Sequence, residues 1–179
     1  MKNASMLMAI ATIVIALSGA VQAAEEMLIP GYSAARDLPG AKLLPDPNTE
    51  YKVVFDATRA AENVDDVNPM LVAVARYVNT LGKYGVPAEN RKVAVVFHQE
   101  AGPVVLKNEE FKARHDGHDN PNIELMRQLH AAGVALHVCG QGVLSREIDP
   151  EDIQEEVQLD LWALTTLIEF GRQGYVKIG

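Results

Sequence analysis

One run of five apolar residues, Val93-Ala94-Val95-Val96-Phe97, constrains the fold more than any other part of the chain. A β-strand presents alternate side chains on its two faces, so an unbroken apolar run needs a sheet that is covered on both sides. Such runs are typical of parallel sheets, in which helices connect successive strands and pack on the faces. The run therefore predicts the central strand of an α/β domain.

Other segments of the chain alternate between strand-like and helix-like patterns. The predicted strands are residues 51–55, 93–97, 134–138, 157–161 and 175–178. Helical spacing of apolar residues follows Asn68-Pro69 and Asn120-Pro121, where asparagine is predicted to cap a helix that proline begins. A third helix is predicted at 163–172, and shorter helical turns at 143–146 and from 149. This order predicts one domain with a mostly parallel sheet and helices on both faces.

The N-terminal residues have the pattern of an export signal. Lys2 precedes a short apolar run from Met6 to Leu17, and Val21-Gln22-Ala23 supplies small residues for cleavage. The run is shorter than the ~20 residues of a transmembrane helix, so residues 1–23 are predicted to be a cleaved signal peptide and the protein periplasmic or secreted. An uncleaved N-terminal anchor is the alternative. Residues 24–50 are rich in proline and glycine and predict an irregular lead-in to a domain at 51–179.

The charge of the chain excludes some partners. Lys and Arg number 16 against 24 Asp and Glu, for a net charge of −8, and no basic block is present. This composition argues against nucleic acid as a partner, and against a membrane for the mature form. The spacing of His115 and His118 matches no closed set of metal ligands, so neither a metal nor another cofactor is predicted.

The most informative candidate site residue is Cys139, the only cysteine in the chain. It ends the predicted third strand, and reaction sites in open α/β sheets collect at the carboxyl ends of strands. A lone cysteine in an exported protein cannot form an intramolecular disulfide. Gly140 allows close approach of the backbone to a bound sulfur, and Gln141 offers a hydrogen-bond donor. The alternative is a structural cysteine that only packs, because free cysteine is often buried.

Two histidines lie near this position in the predicted sheet. His98 follows the second strand, and as a base or a cation it could stabilise a thiolate or a persulfide anion at Cys139. The alternative for His98 is an ordinary loop histidine that is hydrogen-bonded to the backbone. His137 lies inside the third strand, where a satisfied core or interface histidine is the expectation.

A set of segments in fixed order resembles the DsrE/DsrF-like family of sulfur-relay proteins, and more closely its exported members. These segments are Asn120-Pro121-Asn122, Leu129-His130-Ala131-Ala132-Gly133-Val134, Val138-Cys139-Gly140-Gln141, Ala163-Leu164-Thr165-Thr166-Leu167 and Gln173-Gly174-Tyr175. The resemblance covers about residues 51–179. It implies a three-layer αβα sandwich with a mainly parallel five-stranded sheet, assembled as a trimer or hexamer.

The resemblance also implies a role for particular residues. Cys139 falls on the position of the cysteine that carries sulfur as a persulfide, and His98 matches a histidine frequent in the exported members. Gln99-Glu100 and Trp162 depart from the usual residues and would reshape the pocket. The expected function is an exported sulfur relay with protein or small-molecule sulfur donors and acceptors. The alternatives are an oligomeric binding or scaffold module without enzymatic activity, and a redox-sensing thiol that forms an intersubunit disulfide.

Overall fold

Five parallel strands form one sheet in the computed structural model, which describes residues 27–179. The strand order is β4-β3-β2-β1-β5, and every neighbouring pair is parallel. The strands are β1 (Tyr51–Ala57), β2 (Arg91–Phe97), β3 (Ala135–Cys139), β4 (Val157–Asp160) and β5 (Val176–Ile178). The apolar run that predicted a central strand lies in β2, in the middle of the sheet, and all five of its residues are buried. The predicted α/β class is therefore confirmed.

Five α-helices surround the sheet in the described residues: α1 (Pro69–Lys83), α2 (Asn108–Arg114), α3 (Ile123–Ala131), α4 (Gly140–Ser145) and α5 (Ala163–Arg172). Short 3-10 turns occupy Ala88–Asn90, Gln99–Val105 and Pro150–Asp152. Helices α1 and α3 pack on one face, where Leu71 and Met126 join Phe97 in the larger core. Of the helices within residues 27–179, only α5 packs on the other face, where Ala163 meets Val96 in a smaller core. The three layers of the predicted αβα sandwich are thus present.

The two asparagine-proline pairs behave differently. At α1 the prediction is confirmed, because the Asn68 side chain accepts a hydrogen bond of 2.9 Å from the Met70 N–H and Pro69 is the first helical residue. The prediction for Asn120 is wrong, since α3 begins only at Ile123. Asn120 is buried and its Nδ2 donates to the carbonyls of Val104 and Leu106. It therefore joins two distant segments instead of capping a helix.

Two further boundaries differ from the prediction. Helix α4 begins at Gly140, directly after Cys139, whereas a helical turn was predicted only at 143–146. The sequence Gly140-Gln141-Gly142 is consequently the first turn of a helix and not a separate loop. Between β2 and Asn120, where no helix was predicted, the chain forms a 3-10 turn and then α2, whose Phe111 is buried in the larger core.

The predicted signal peptide, residues 1–23, lies outside the described residues. Residues 27–50 form turns without a helix or strand, and they are attached to α1 by the buried side chain of Asn79. The Asn79 Oδ1 accepts from the Ile29 N–H at 2.8 Å, and its Nδ2 donates to the Ile29 carbonyl at 2.9 Å. No helix within residues 27–179 has the length and apolar character to cross a membrane.

Candidate functional site

Cys139 is the last residue of β3, and its thiol lies beneath the start of α5. Its side chain faces the smaller core with Val96 and Ala163, and the residue is 5% exposed. The Ala163 N–H donates to Sγ across 3.3 Å. Because the free N–H groups of a helix begin in its first turn, this amide favours negative charge on the sulfur. The structure thus places the thiol at the carboxyl edge of the sheet, as the sequence predicted.

The two residues after Cys139 have different roles. A Cβ on Gly140 would lie 2.6 Å from the carbonyl oxygen of Asp160, so only glycine fits where the ends of β3 and β4 approach each other. Gln141 is exposed, and its Nε2 donates to the carbonyl of Leu161 at 3.3 Å. Both residues therefore link β3 to the segment that leads into α5, next to the thiol.

His98 is brought beside Cys139 by the register of the sheet. Phe97 pairs with Val138, so the next residues on these neighbouring strands are His98 and Cys139. Neighbouring strands are about 4.8 Å apart, and both side chains point to the α5 side. The His98 Nε2 lies 2.6 Å from Oδ1 of Asp56. The ring of His98 is therefore bound to a carboxylate instead of the backbone partner that the alternative reading expected.

Asp56 and Lys177 complete a group of three charged side chains with His98. The Lys177 Nζ lies 2.7 Å from Oδ2 of Asp56, whose side chain is 9% exposed. Burial raises the pKa of Asp56, but the hydrogen bonds and positive charges of Lys177 and His98 outweigh it and hold this pKa below its ordinary value. Asp56 is consequently an anion that orients His98. With Nε2–H donated to the carboxylate, a neutral His98 presents Nδ1 as an acceptor.

Asp56 and Lys177 were not predicted as site residues from the sequence. A signal for Asp56 was present, because it lies at the carboxyl end of the first predicted strand, where site residues are expected. No pattern in the sequence marks Lys177 as a site residue. It reaches Asp56 only because β5 pairs with β1, and a sequence does not show which strand lies beside which.

His137 belongs to a second polar group on the same face of the sheet. Its Nδ1 lies 2.9 Å from Oδ2 of Asp160, which also accepts from the Thr166 hydroxyl at 2.8 Å. Gln158 donates to Oδ1 of the same carboxylate at 2.7 Å. The prediction of a satisfied core or interface histidine did not include this carboxylate partner, which the chain supplies 23 residues later.

His115 and His118, the two histidines that were considered as metal ligands, lie apart from the thiol. His118 pairs with the exposed Asp65 at 2.8 Å, and His115 stacks on Phe111. Within residues 27–179, no three side chains of the kinds that bind metals are grouped together.

The fold and the site together define an all-parallel αβα protein whose one thiol lies at the carboxyl edge of the sheet, beside a histidine and a buried carboxylate. The model of the DsrE/DsrF-like family matches residues 45–178, and the chain belongs to this family. The resemblance to the family that the sequence segments indicated is thereby confirmed.

Comparison with solved structures supports the fold. A protein of unknown function, MTH1491 from Methanobacterium thermoautotrophicum, is similar over 72% of this chain and 97% of its own, with 16% sequence identity and a TM-score of 0.50. At this identity the likeness concerns the fold alone. A search of curated proteins found no match.

Proposed function

We propose that this protein is an exported sulfur relay in which Cys139 accepts a sulfur atom as a persulfide and passes it to a partner. The observation that carries the proposal is the placement of the only thiol at a strand end, next in register to a histidine that a buried carboxylate orients. Membership of the DsrE/DsrF-like family, which is associated with sulfur relay, supports the same activity.

The proposed step needs a base, a nucleophile and a stabilised anion. His98 takes the proton of the Cys139 thiol, and the thiolate attacks the outer sulfur of a donor persulfide R–S–SH. A bond forms between Sγ and that sulfur while the donor S–S bond breaks, and the departing RS⁻ takes up the proton. No electrons are gained or lost overall. The Ala163 N–H stabilises negative charge on Sγ before the attack.

We propose that the protein acts outside the cytoplasm, as the signal pattern in residues 1–23 indicates, with small sulfur compounds or proteins as sulfur donor and acceptor.

We propose that it is a homo-oligomer, a trimer or hexamer. An α-helix is about 10 Å wide, whereas five strands spaced at about 4.8 Å span roughly twice that width, so α5 cannot cover its face alone. Leu164 and Ile168 on the outer side of α5 are 50% and 65% exposed, and a second copy would bury them.

The test is the mass of the intact protein after incubation with a persulfide donor. The wild type is expected to gain one sulfur atom, and Cys139→Ser none. His98→Asn is expected to slow the initial rate about 100-fold, the lower range for loss of a general base. His118→Asn is the control, since that exposed histidine lies outside the site. No gain by the wild type, or equal gain by Cys139→Ser, would reject the proposal.

Burial of Cys139 favours a second candidate, an oligomeric binding or scaffold module in which the thiol only packs. The discriminating measurement is alkylation of the native protein by iodoacetamide. A thiol that reacts in the native state supports the relay, and one that reacts only after unfolding supports the scaffold. A reducible dimer on a gel would instead indicate an intersubunit disulfide.

A further inference from the structure

The guanidinium group of Arg146 joins the two segments that follow His98 and Cys139. Its Nη2 donates to the carbonyl of Gln99 at 2.7 Å, and its Nη1 donates to the carbonyl of Gly142 at 3.1 Å. Gln99 directly follows His98. Gly142 lies in the first turn of α4, the helix that begins after Cys139. One side chain therefore connects the chain beyond the base to the chain beyond the thiol.

Gln99 needs such support because of its backbone conformation. Its φ is 52°, in the left-handed region that is disfavoured for a residue with a side chain. Such a conformation persists only where surrounding contacts hold it. The Gln99 carbonyl is held by Arg146. On the other side of the turn, the Ala101 N–H donates to the Thr58 carbonyl at 3.3 Å. The turn after His98 is thus fixed from two sides.

The guanidinium lies near the thiol side chain as well as near this turn. A Cβ on Gly142 would lie 3.4 Å from Nη1 of Arg146 and 3.9 Å from the Cβ of Cys139, so both groups border the same point. A Cβ on Gly102, in the 3-10 turn after β2, would lie 4.0 Å from the same Nη1. Arg146 consequently lies between the start of α4 and the turn that follows β2.

The backbone of Arg146 is itself anchored by a second arginine. Arg114 of α2 donates from Nη1 to the Arg146 carbonyl at 3.0 Å and from Nη2 to the Glu147 carbonyl at 3.1 Å. Glu147 has a φ of 53°, so Arg114 also holds a residue in the left-handed region. The Arg114 side chain is paired in turn with Glu110, four residues earlier in the same helix. The guanidinium of Arg146 therefore acts from a fixed position.

We propose that Arg146 is a positioning residue for sulfur transfer, which sets the separation and orientation of His98 relative to the Cys139 thiol and does not touch the sulfur donor. This inference rests on the proposed function of Cys139. A base must lie within hydrogen-bond reach of the proton that it takes, and a shift of about 1 Å can slow such a step about 100-fold. Because Arg146 binds the chain after each of the two groups, its loss lets them move apart.

The test is a double-mutant cycle on the full chain, with glutathione persulfide as donor and the intact mass as the measure of loading. Arg146→Met keeps an unbranched side chain and removes the guanidinium. It is expected to lower the maximal rate of loading about tenfold and to leave the half-saturating donor concentration unchanged, because Arg146 acts through the base. In the His98→Asn background the same substitution is expected to have little further effect. An equal loss in both backgrounds would overturn the inference.

The matched control is Arg91→Met. Arg91 begins β2 at the opposite edge of the sheet, and its Nη1 also donates to a carbonyl, that of Val86, at 2.6 Å. This substitution is expected to leave the rate of loading unchanged. Arg146→Lys is a milder second variant, since it keeps the charge but replaces the planar guanidinium by a compact ammonium group. Its smaller loss is also expected to disappear in the His98→Asn background, and persistence of that loss would contradict the proposed role.

Hydrogen exchange tests the turn after His98 without any sulfur transfer. Arg146→Met is expected to raise the exchange rate of the Ala101 amide about tenfold, whereas Arg91→Met is expected to leave it unchanged. Unchanged exchange in Arg146→Met would overturn the inference and leave the proposed function intact. If the wild type gains no sulfur, the proposed function fails together with the role of Arg146 in the reaction, and the exchange rate still decides whether Arg146 holds this turn.

Discussion

The backbone N–H of Ala163 points at the Sγ of Cys139 across 3.3 Å, although 24 residues separate them in the chain. This contact fixes the start of α5 against the end of β3. It depends on the close approach of the β3 and β4 ends, where the Gly140 Cα lies against the Asp160 carbonyl. The position of the Ala163 amide next to the thiol therefore depends on how closely the ends of β3 and β4 approach each other.

Gly140→Ala is expected to destabilise the protein by about 1–3 kcal/mol, because the added Cβ would lie 2.6 Å from the Asp160 oxygen and the strand ends must separate. Urea unfolding measures the change. Gly171→Ala is the matched control within α5, since its Cβ would meet nothing within 4 Å. Alanine there is expected to stabilise the helix by about 0.4–1 kcal/mol. Similar effects of both substitutions would contradict the predicted steric conflict.

Asp56 is expected to make stability depend on pH. Its pKa is lower in the folded protein than in the unfolded chain, so its contribution is present above about pH 4 and is lost as the pH falls through the folded value. The free-energy difference between wild type and Asp56→Asn should therefore shrink as the pH is lowered below 4 in denaturant titrations. The exposed Asp119, whose pKa is also lowered by its hydrogen bond with Lys112, is the control. Asp119→Asn should change stability much less at each pH, since solvent screens this pair.

Asn79→Ala is expected to release the segment that precedes β1. The variant loses the hydrogen bonds to Ile29 and Tyr32 and leaves buried backbone groups without a partner, which costs about 2–4 kcal/mol. Limited proteolysis should then cleave near residues 29–36 at a concentration of protease that leaves the wild type intact. Asn90→Ala removes one exposed bond to the Pro47 carbonyl and serves as control. Equal cleavage in both variants would show that Asn79 does not hold the segment.

A double substitution, Leu164→Glu with Ile168→Glu, is expected to shift the proposed oligomer toward monomers. Carboxylates placed on the outer side of α5 would have to be desolvated in an interface, at a cost of several kcal/mol per ion. Light scattering across a dilution series measures the change in mass. Leu43→Glu, at a side chain that is 95% exposed in the segment before β1, should leave the mass unchanged. Retention of the oligomer by the double variant would place the interface elsewhere.

The pattern of apolar residues in the sequence was sufficient to predict the fold, but it predicted only part of the site. The run at Val93–Phe97 identified the central strand, because burial on both faces leaves a pattern in consecutive residues. The same kind of pattern predicted β3, and Cys139 became a candidate because it lies at the end of that strand. The prediction for Asn120 was wrong because the same dipeptide caps α1 at Asn68 but joins two segments by side-chain hydrogen bonds at Asn120. The choice between the two depends on tertiary contacts that no local pattern contains.

The carboxylate partners of His98 and His137 could not be predicted from the sequence, for a related reason. His98 and Asp56 are 42 residues apart, and His137 and Asp160 are 23 apart. Each pair meets only because particular strands are neighbours in the sheet. Strand order is a property of the whole chain, so the sequence predicted the candidate residues but not their connections.

The pairing of β5 with β1 has a consequence for folding kinetics. Lys177 and Asp56 are 121 residues apart, so the complete group of Asp56, His98 and Lys177 cannot form until nearly all of the described chain is present and collapsed. Closing so long a loop costs entropy before any contact compensates for it, and folds with such distant pairings fold slowly. The order of events therefore separates the two partners of Asp56. The contact between Asp56 and His98 needs only β1 and β2, whereas the ammonium group of Lys177 reaches this carboxylate only after the last strand has docked.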